Sequence, residues 1–213
     1  MKFSKPAKNI EEQIELLSSR GMSFSNKDSA AHYLSHINYY RLEAYWLPFE
    51  ISRDPHQFVD NTQFDTVLNH YLFDREFRLL LLDAIERIEV SFRTQWAYHM
   101  SHSFGPHGYF DNSKGLRKNE RRLLNDISDL KEHVKRSDEQ LPPAWVSCEV
   151  MSLGLLSRFY ANLRAYKVRQ QISATYQFDE GFLEGFLEHL TYVRNVCAHH
   201  SRLWNRHLTK KMP

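Results

Sequence analysis

The sequence predicts an all-α protein, and three observations support this fold class. The chain has only seven glycines and seven prolines among 213 residues, too few for the many turns of a β-sandwich or barrel. Residues 62–102 contain neither glycine nor proline. Within that stretch, apolar side chains recur every three to four residues, which is the spacing of one helix face. We expect one helical domain over residues 1–213, because this length is too short for two domains with well-formed cores.

Capping residues predict the first two helices. Asn9, followed by Glu12 three residues later, has the spacing of a capping box and predicts a helix over residues 10–20. Ser25 or Asn26 can cap a second helix, because both side chains accept hydrogen bonds from backbone N–H groups.

The longest helix is predicted over residues 62–102, in one or two pieces. Three acid–base pairs support it, each four residues apart with the acid first: Asp74/Arg78, Asp83/Arg87 and Glu89/Arg93. As exposed pairs, each stabilises a helix by roughly 0.2–0.5 kcal/mol. A segment with two glycines and a proline, 104–108, ends this helix.

Four more helices are predicted in the second half of the chain. They cover about 116–136, 142–163, 165–176 and 180–204. The prolines at 142 and 143 suit the first turn of the second of these helices. The last helix carries the densest group of polar residues in the chain.

The composition excludes several classes of protein. Hydrophobic residues make up 42% and charged residues 25% of the chain, as in ordinary folded proteins. No apolar run approaches the roughly 20 residues that cross a membrane, and the N-terminus lacks the apolar region of a signal peptide. We therefore expect a cytoplasmic protein without a membrane segment. Its two cysteines, Cys148 and Cys197, are expected to be reduced thiols in the core.

Positive charge is concentrated at the C-terminal end, although the net charge is only +2. The last acidic residue is Glu188, so the C-terminal basic segment, defined as residues 189–213, carries only positive formal charges. These charges belong to Arg194, Arg202, Arg206, Lys210 and Lys211. The last four are candidates for RNA binding. A second basic cluster, at 117–122, has acidic neighbours and is interpreted as a solvated helix face.

Helix geometry separates the polar residues at 194–199 into two groups. At 100° per residue, Asn195 and His199 point away from the apolar stripe centred on Leu190 and share one face. Arg194 lies about 40° from the stripe, so its guanidinium is pressed against apolar surface and is expected to need an anionic partner.

Arginine and histidine together suit the cleavage of RNA without a metal ion. The 2′-hydroxyl is a built-in nucleophile, a histidine can transfer its proton, and a guanidinium can hold the phosphate. The spacing of Arg194 and His199 is frequent by chance in a chain with 12 histidines. From the spacing alone, an ordinary helix surface remains the alternative.

Other candidate sites are weaker. His32 and His36 are four residues apart and can share a metal ion, yet no third ligand is apparent, and we expect no metal and no cofactor. A group of aromatic residues suits core packing, with stacking on bases as the alternative. The group comprises Tyr39, Tyr40, Tyr45 and Trp46.

Four stretches of the chain carry recognisable motifs. They are 37–49 (INYYRL and YWLPF), 71–89 (YLFDR and DAIERIE), 142–158 (PPAW and LSR) and 194–206 (RNVCAHHSRLWNR). In this order they resemble the Abi family of abortive-infection phage-resistance proteins, of the AbiD/AbiF-like kind, in the HEPN superfamily. The last stretch is the most specific, because it is similar to the family's arginine, asparagine and histidine motif.

This resemblance implies an HEPN-type helical bundle that forms a homodimer in which two motifs face each other. It also implies a metal-independent endoribonuclease that acts as a toxin-like effector against phage, with a neutralising RNA or protein as a partner. By the resemblance, Arg194 would hold the scissile phosphate, Asn195 would orient its neighbours and His199 would act as general acid/base. His200 would be a helper.

A non-catalytic module is the alternative function. In this interpretation, a helical protein of a defence or toxin–antitoxin system binds RNA or protein through the C-terminal basic segment and cuts nothing.

Overall fold

The computed structural model describes residues 6–109, 142–210 and 212. These residues form eight α-helices, one 3-10 turn and one β-hairpin, which confirms the predicted all-α class. Contacts within the chain divide it into two compact units. Among the described residues, the N-terminal unit comprises 6–79 and 202–206, and the C-terminal unit comprises 80–109, 142–201, 207–210 and 212. The helix predicted at 116–136 and the basic cluster at 117–122 lie outside the described residues.

Four helices and a hairpin contribute to the N-terminal unit. They are α1 (Ile10–Ser19), α2 (Lys27–His36), α3 (Tyr39–Trp46), the 3-10 turn Leu47–Phe49, β1 (Glu50–Arg53), β2 (His56–Phe58) and the first part of α4 (Phe64–Phe104). The predicted capping box is present, since Asn9 Oδ1 accepts from Glu12 N at 2.8 Å and Glu12 Oε2 accepts from Asn9 N at 2.7 Å. Asn26, rather than Ser25, caps α2 by accepting from Ser29 N at 3.0 Å.

The antiparallel hairpin of β1 and β2 is an element that the sequence did not predict. Its strands have four and three residues, too few for an alternating pattern to stand out. The backbone N–H of Phe58 donates to the carbonyl of Arg20 at 2.8 Å, which ties the hairpin to the end of α1. Phe58 also enters the core of this unit.

Of the four aromatic residues predicted to pack in the core, two are fully buried there. Tyr45 and Trp46 are each 1% exposed, so core packing is confirmed for both. Tyr39 is half-buried, with its ring against Trp46, and Tyr40 is 65% exposed.

The C-terminal unit contains the rest of α4 and four further helices. They are α5 (Ala144–Val150), α6 (Leu153–Asn162), α7 (Tyr166–Ala174) and α8 (Glu180–Ala198). Both α6 and α7 pack against α8. The prediction of a single helix over 142–163 is wrong, because Ser152 has an extended backbone and its side chain accepts a hydrogen bond from Leu155 N at 3.2 Å. Ser152 therefore caps a new helix.

The long helix α4 is continuous over 41 residues. Its three predicted acid–base pairs all form ion pairs. Of the three, only the Asp83/Arg87 pair is exposed, whereas Asp74 is 0% and Arg78 5% exposed. Despite its length, neither α4 nor any other helix in the described part of the chain is apolar enough to cross a membrane.

Both cysteines are free and buried, as the sequence predicts. Burial raises the pKa of the Cys148 thiol to about 11, with a smaller contribution from the neighbouring Glu149 carboxylate. A thiol with this pKa is protonated near neutral pH and acts as a small apolar side chain.

Candidate functional site

Helix α8 carries the candidate residues and begins where the sequence predicts. The Asp179 side chain caps it by accepting from Phe182 N at 2.7 Å. Its buried face, which packs within the C-terminal unit, consists of Leu183, Leu187, Leu190, Val193, Val196 and Cys197. The apolar stripe predicted around Leu190 is therefore confirmed.

The end of α8 differs from the prediction. The helix stops at Ala198 and does not continue to about residue 204. His200 has a left-handed backbone with φ 55°, and its N–H donates to the Cys197 carbonyl at 3.0 Å. The N–H of Ser201 donates to the Val196 carbonyl, also at 3.0 Å. These two bonds form a Schellman motif, which satisfies the last carbonyls and turns the chain out of the helix.

Arg194 and Asn195 form a neighbouring pair on the last turns of α8. Arg194 is half-buried, and its Nη1 donates to Asn195 Oδ1 at 3.3 Å, while Asn195 itself is exposed. The sequence predicts an anionic partner for Arg194, but no ion pair of Arg194 occurs among the described residues. Its hydrogen-bond partner there is the neutral Asn195 amide. The guanidinium thus keeps its charge available for an anion.

His199 is the residue that directly follows the helix, and its side chain is exposed. Its backbone N–H donates to the Asn195 carbonyl at 3.0 Å, so the bond of the last helical turn fixes the position of its Cα atom. The predicted exposure of both Asn195 and His199 is confirmed. An exposed imidazole can exchange protons with solvent or with a bound substrate.

A pocket of about 350 Å³ lies beside Arg194, between α8 and the part of α4 that belongs to the same unit. Its lining consists of Leu82, Ile85, Glu86, Glu89, Val90, Arg93 and Arg194. The α4 residues in this set recur at three-to-four spacing and therefore share one face of the helix. The sequence did not predict this pocket, because its two walls are more than 100 residues apart in the chain.

The basic residues that follow the motif have different surroundings. Arg202 Nη1 donates to the Ala44 carbonyl at 2.8 Å, within the N-terminal unit. Arg206 is exposed, and Lys210 forms an ion pair with Glu188. Arg202 thus has a structural contact, and the ion pair neutralises part of the charge of Lys210. RNA binding by these residues stays a prediction. Lys211 lies outside the described residues.

Asp74 has a structural role that the sequence did not indicate. Its buried carboxylate accepts from Leu203 N at 3.1 Å and from Trp204 N at 2.6 Å, and it forms an ion pair with Arg78. It also accepts from Tyr45 Oη at 2.6 Å. Asp74 therefore anchors the segment 202–206 within the N-terminal unit. The Asp74/Arg78 spacing was the available signal, but spacing does not reveal burial.

Two aromatic contacts complete this anchor. The Trp204 ring is stacked on the buried ring of Tyr45, with centroids 6.3 Å apart, and also contacts the ring of His70 at 4.5 Å. Burial, followed by the hydrogen bond to Asp74, raises the pKa of the Tyr45 hydroxyl well above its usual value. Tyr45 therefore remains a neutral hydrogen-bond donor.

The candidate metal ligands lie in the N-terminal unit. The rings of His32 and His36 are arranged edge to face on α2 with centroids 4.9 Å apart, and both side chains are exposed. Within the described ranges, no group of three potential metal-ligating side chains is present.

Comparison with known proteins supports the resemblance of the four sequence stretches. A family model with the description "Abi-like protein" matches residues 32–205, from α2 through the segment that Asp74 anchors. No curated protein and no solved structure matches the chain. The family match covers most of the chain, including Arg194, Asn195 and His199. The chain therefore belongs to the Abi-like protein family.

Proposed function

We propose that this Abi-like protein is a metal-independent endoribonuclease of the HEPN type, AbiD/AbiF-like, and that it acts as a toxin-like effector in abortive infection. One observation carries the proposal. The Arg194 guanidinium, held by the Asn195 amide at 3.3 Å, lies just over one helical turn before the exposed imidazole of His199. Membership of the Abi-like family supports the role in defence against phage.

The proposed reaction uses the ribose as its own nucleophile. The 2′-oxygen forms a bond to the adjacent phosphorus, and the bond between phosphorus and the 5′-oxygen of the next nucleotide breaks. His199 accepts the proton of the 2′-hydroxyl or donates a proton to the leaving 5′-oxygen. Arg194 stabilises the charge that develops on the non-bridging oxygens. The products are a 2′,3′-cyclic phosphate and a 5′-hydroxyl.

A homodimer is part of this proposal. The reaction needs a base and an acid, and each chain contributes one His199. Arg194 and His199 also diverge by about 140° around the axis of an ideal helix. Residues of two chains related by a two-fold axis can together surround one phosphate. A neutralising RNA or protein belongs to the same proposal, because a toxic ribonuclease must be restrained. The proposal also keeps His200 as a helper in the reaction.

The test compares RNA cleavage by the purified wild-type protein and by Arg194→Ala and His199→Ala. Single-stranded and structured RNA are incubated with each protein in the presence of EDTA, and the product ends are analysed. We expect wild-type cleavage with 2′,3′-cyclic phosphate ends, and a loss of at least about 100-fold in each variant. Expression of the wild type, but not of the variants, is expected to inhibit growth.

His207→Ala and Arg75→Ala are matched controls, because both side chains are exposed and neither lies in α8. They are expected to cleave as the wild type does, and thermal unfolding checks that all variants are folded. Absence of cleavage by the wild type, or equal cleavage by His199→Ala, contradicts the proposal.

A non-catalytic RNA- or protein-binding module is the second candidate function, favoured by the absence of acidic residues over 189–213. In that case RNA affinity falls as salt rises and falls further in Arg206→Ala, while no RNA is cut. RNA affinity that does not respond to salt contradicts this candidate.

A further inference from the structure

The pocket beside Arg194 is lined by two carboxylates and two guanidinium groups, which have different surroundings. Glu89 forms an ion pair with Arg93, and Arg93 Nη1 also donates to the Cys148 carbonyl, so these two side chains are held by each other and by α5. The Glu86 side chain has no ion pair or hydrogen bond within the described part of the chain, and the only side-chain hydrogen bond of Arg194 there is to the Asn195 amide. Glu86 and Arg194 are therefore the groups available to a ligand.

The remaining lining is apolar. Ile85 is 3% exposed and forms a fixed surface, while Leu82 and Val90 are more accessible. A pocket of about 350 Å³ lies within the range of pockets that hold small organic ligands. Apolar side chains suit the flat face of a nucleobase, and a carboxylate at the rim suits the edge of a base that donates hydrogen bonds.

We propose that this pocket binds a nucleobase next to the phosphate held by Arg194, and that Glu86 makes the pocket selective for guanine. This inference deepens the proposed ribonuclease function and rests on it for the role of Arg194. Guanine presents two adjacent donors, N1–H and the N2 amino group, on one edge. The two oxygens of the Glu86 carboxylate can accept both.

The other bases match a carboxylate less well. Adenine and cytosine each place an acceptor nitrogen beside a single amino group, and uracil places two carbonyl oxygens around its N3–H. A carboxylate only accepts hydrogen bonds, so each of these bases brings a lone pair towards a negative oxygen. A good bidentate contact to a base discriminates by about tenfold or more.

Nucleotide binding provides a direct test. Guanosine, adenosine, cytidine and uridine 5′-monophosphates are titrated into the wild-type protein and into Glu86→Gln by calorimetry. We expect the wild type to bind the guanosine nucleotide about tenfold more tightly than the others. Glu86→Gln is expected to reduce this preference to about threefold or less, because a glutamine amide offers one acceptor in place of two.

Two further variants separate charge from base recognition. Arg194→Ala is expected to lower the affinity for all four nucleotides by a similar factor, because each of them carries the phosphate that Arg194 would hold. Glu76→Gln, which changes an exposed glutamate of α4 outside the pocket, is expected to keep the wild-type preference. Equal affinities for the four nucleotides, no binding of the guanosine nucleotide, or an unchanged preference in Glu86→Gln overturns the inference.

Mapping of RNA cleavage ends distinguishes this inference from the proposed function. Cleavage next to guanine by the wild type, and next to any base by Glu86→Gln, supports both. Cleavage without base preference overturns the inference and leaves the ribonuclease proposal intact. A guanosine preference in calorimetry without any RNA cleavage contradicts the ribonuclease proposal but supports the pocket and the role of Glu86.

Discussion

At the scale of single residues, the backbone of His200 has a structural role that can be distinguished from the role proposed for its side chain. It occupies the left-handed position of a Schellman motif with φ 55°. The end of α1 has the same motif with Gly21 at φ 98°, where Met22 N donates to the Leu17 carbonyl at 3.1 Å. Glycine has no Cβ atom and adopts this conformation without a steric penalty. A histidine here is less favourable by about 1 kcal/mol.

The first prediction concerns His200. The free energy of unfolding of His200→Gly is expected to equal that of the wild type or to exceed it by up to about 1 kcal/mol. Glycine adopts the left-handed backbone conformation without a steric penalty. His200→Val is expected to lower the free energy of unfolding by about 1 kcal/mol or more, because a β-branched residue tolerates this region poorly. Urea unfolding followed by circular dichroism gives both values.

The same variants test the helper role. If the His200 side chain assists RNA cleavage, His200→Gly loses activity while it retains its stability. Equal destabilisation by Gly and Val would show that side-chain contacts of His200, and not its backbone, determine the end of α8.

At the scale of elements, the buried Asp74 carboxylate connects α4, α3 and the segment 202–206 within the N-terminal unit. It accepts hydrogen bonds from Tyr45 and from two backbone N–H groups and is paired with Arg78. Every one of these partners is buried or half-buried. The loss of a buried carboxylate with this many partners leaves several donors without an acceptor.

The second prediction follows from this network. Asp74→Asn is expected to lower the free energy of unfolding by about 3–5 kcal/mol, because Arg78 is left as an uncompensated buried charge. Asp83→Asn is the matched control, since Asp83 forms an exposed ion pair with Arg87 on the same helix. Its effect is expected to be about 1 kcal/mol or less. Similar effects of the two variants in chemical unfolding would argue against the role of Asp74.

At the scale of the whole molecule, α4 exposes seven large apolar side chains along its length. Its exposed large apolar residues are Leu72, Phe73, Phe77, Leu79, Leu80, Val90 and Tyr98. The rings of Phe73 and Phe77 are stacked on each other, with centroids 6.0 Å apart, and are 57% and 39% exposed. Apolar side chains grouped in this way are typical of an interface between proteins.

The third prediction concerns the oligomeric state. Sedimentation equilibrium is expected to give twice the chain mass of 25.4 kDa for the wild type. The double variant Phe73→Glu/Phe77→Glu is expected to sediment as a monomer and to lose RNA cleavage, because two charges per chain cannot be buried in the interface without partners. Ile51→Glu, at an exposed position of the hairpin, is the control and should remain a dimer. A monomeric wild type contradicts the homodimer.

Much of the local structure is predictable because its determinants are close together in the chain. The capping box of α1, the three ion pairs of α4 and the buried stripe of α8 each depend on residues three or four apart. The exposure of Asn195 and His199 follows from the same periodicity. The break at Ser152 had a local signal as well, since a serine there can act as a cap.

The sequence by itself therefore determined the helical class, most helix positions, the family resemblance and the choice of Arg194, Asn195 and His199 as candidate residues. Only the tertiary structure decided that Asp74 is buried and that Arg194 faces a pocket containing Glu86. The bond from Leu203 to Asp74 joins residues 129 positions apart. Periodicity and capping report interactions within about one helical turn, whereas burial depends on which distant segments the folded chain brings together.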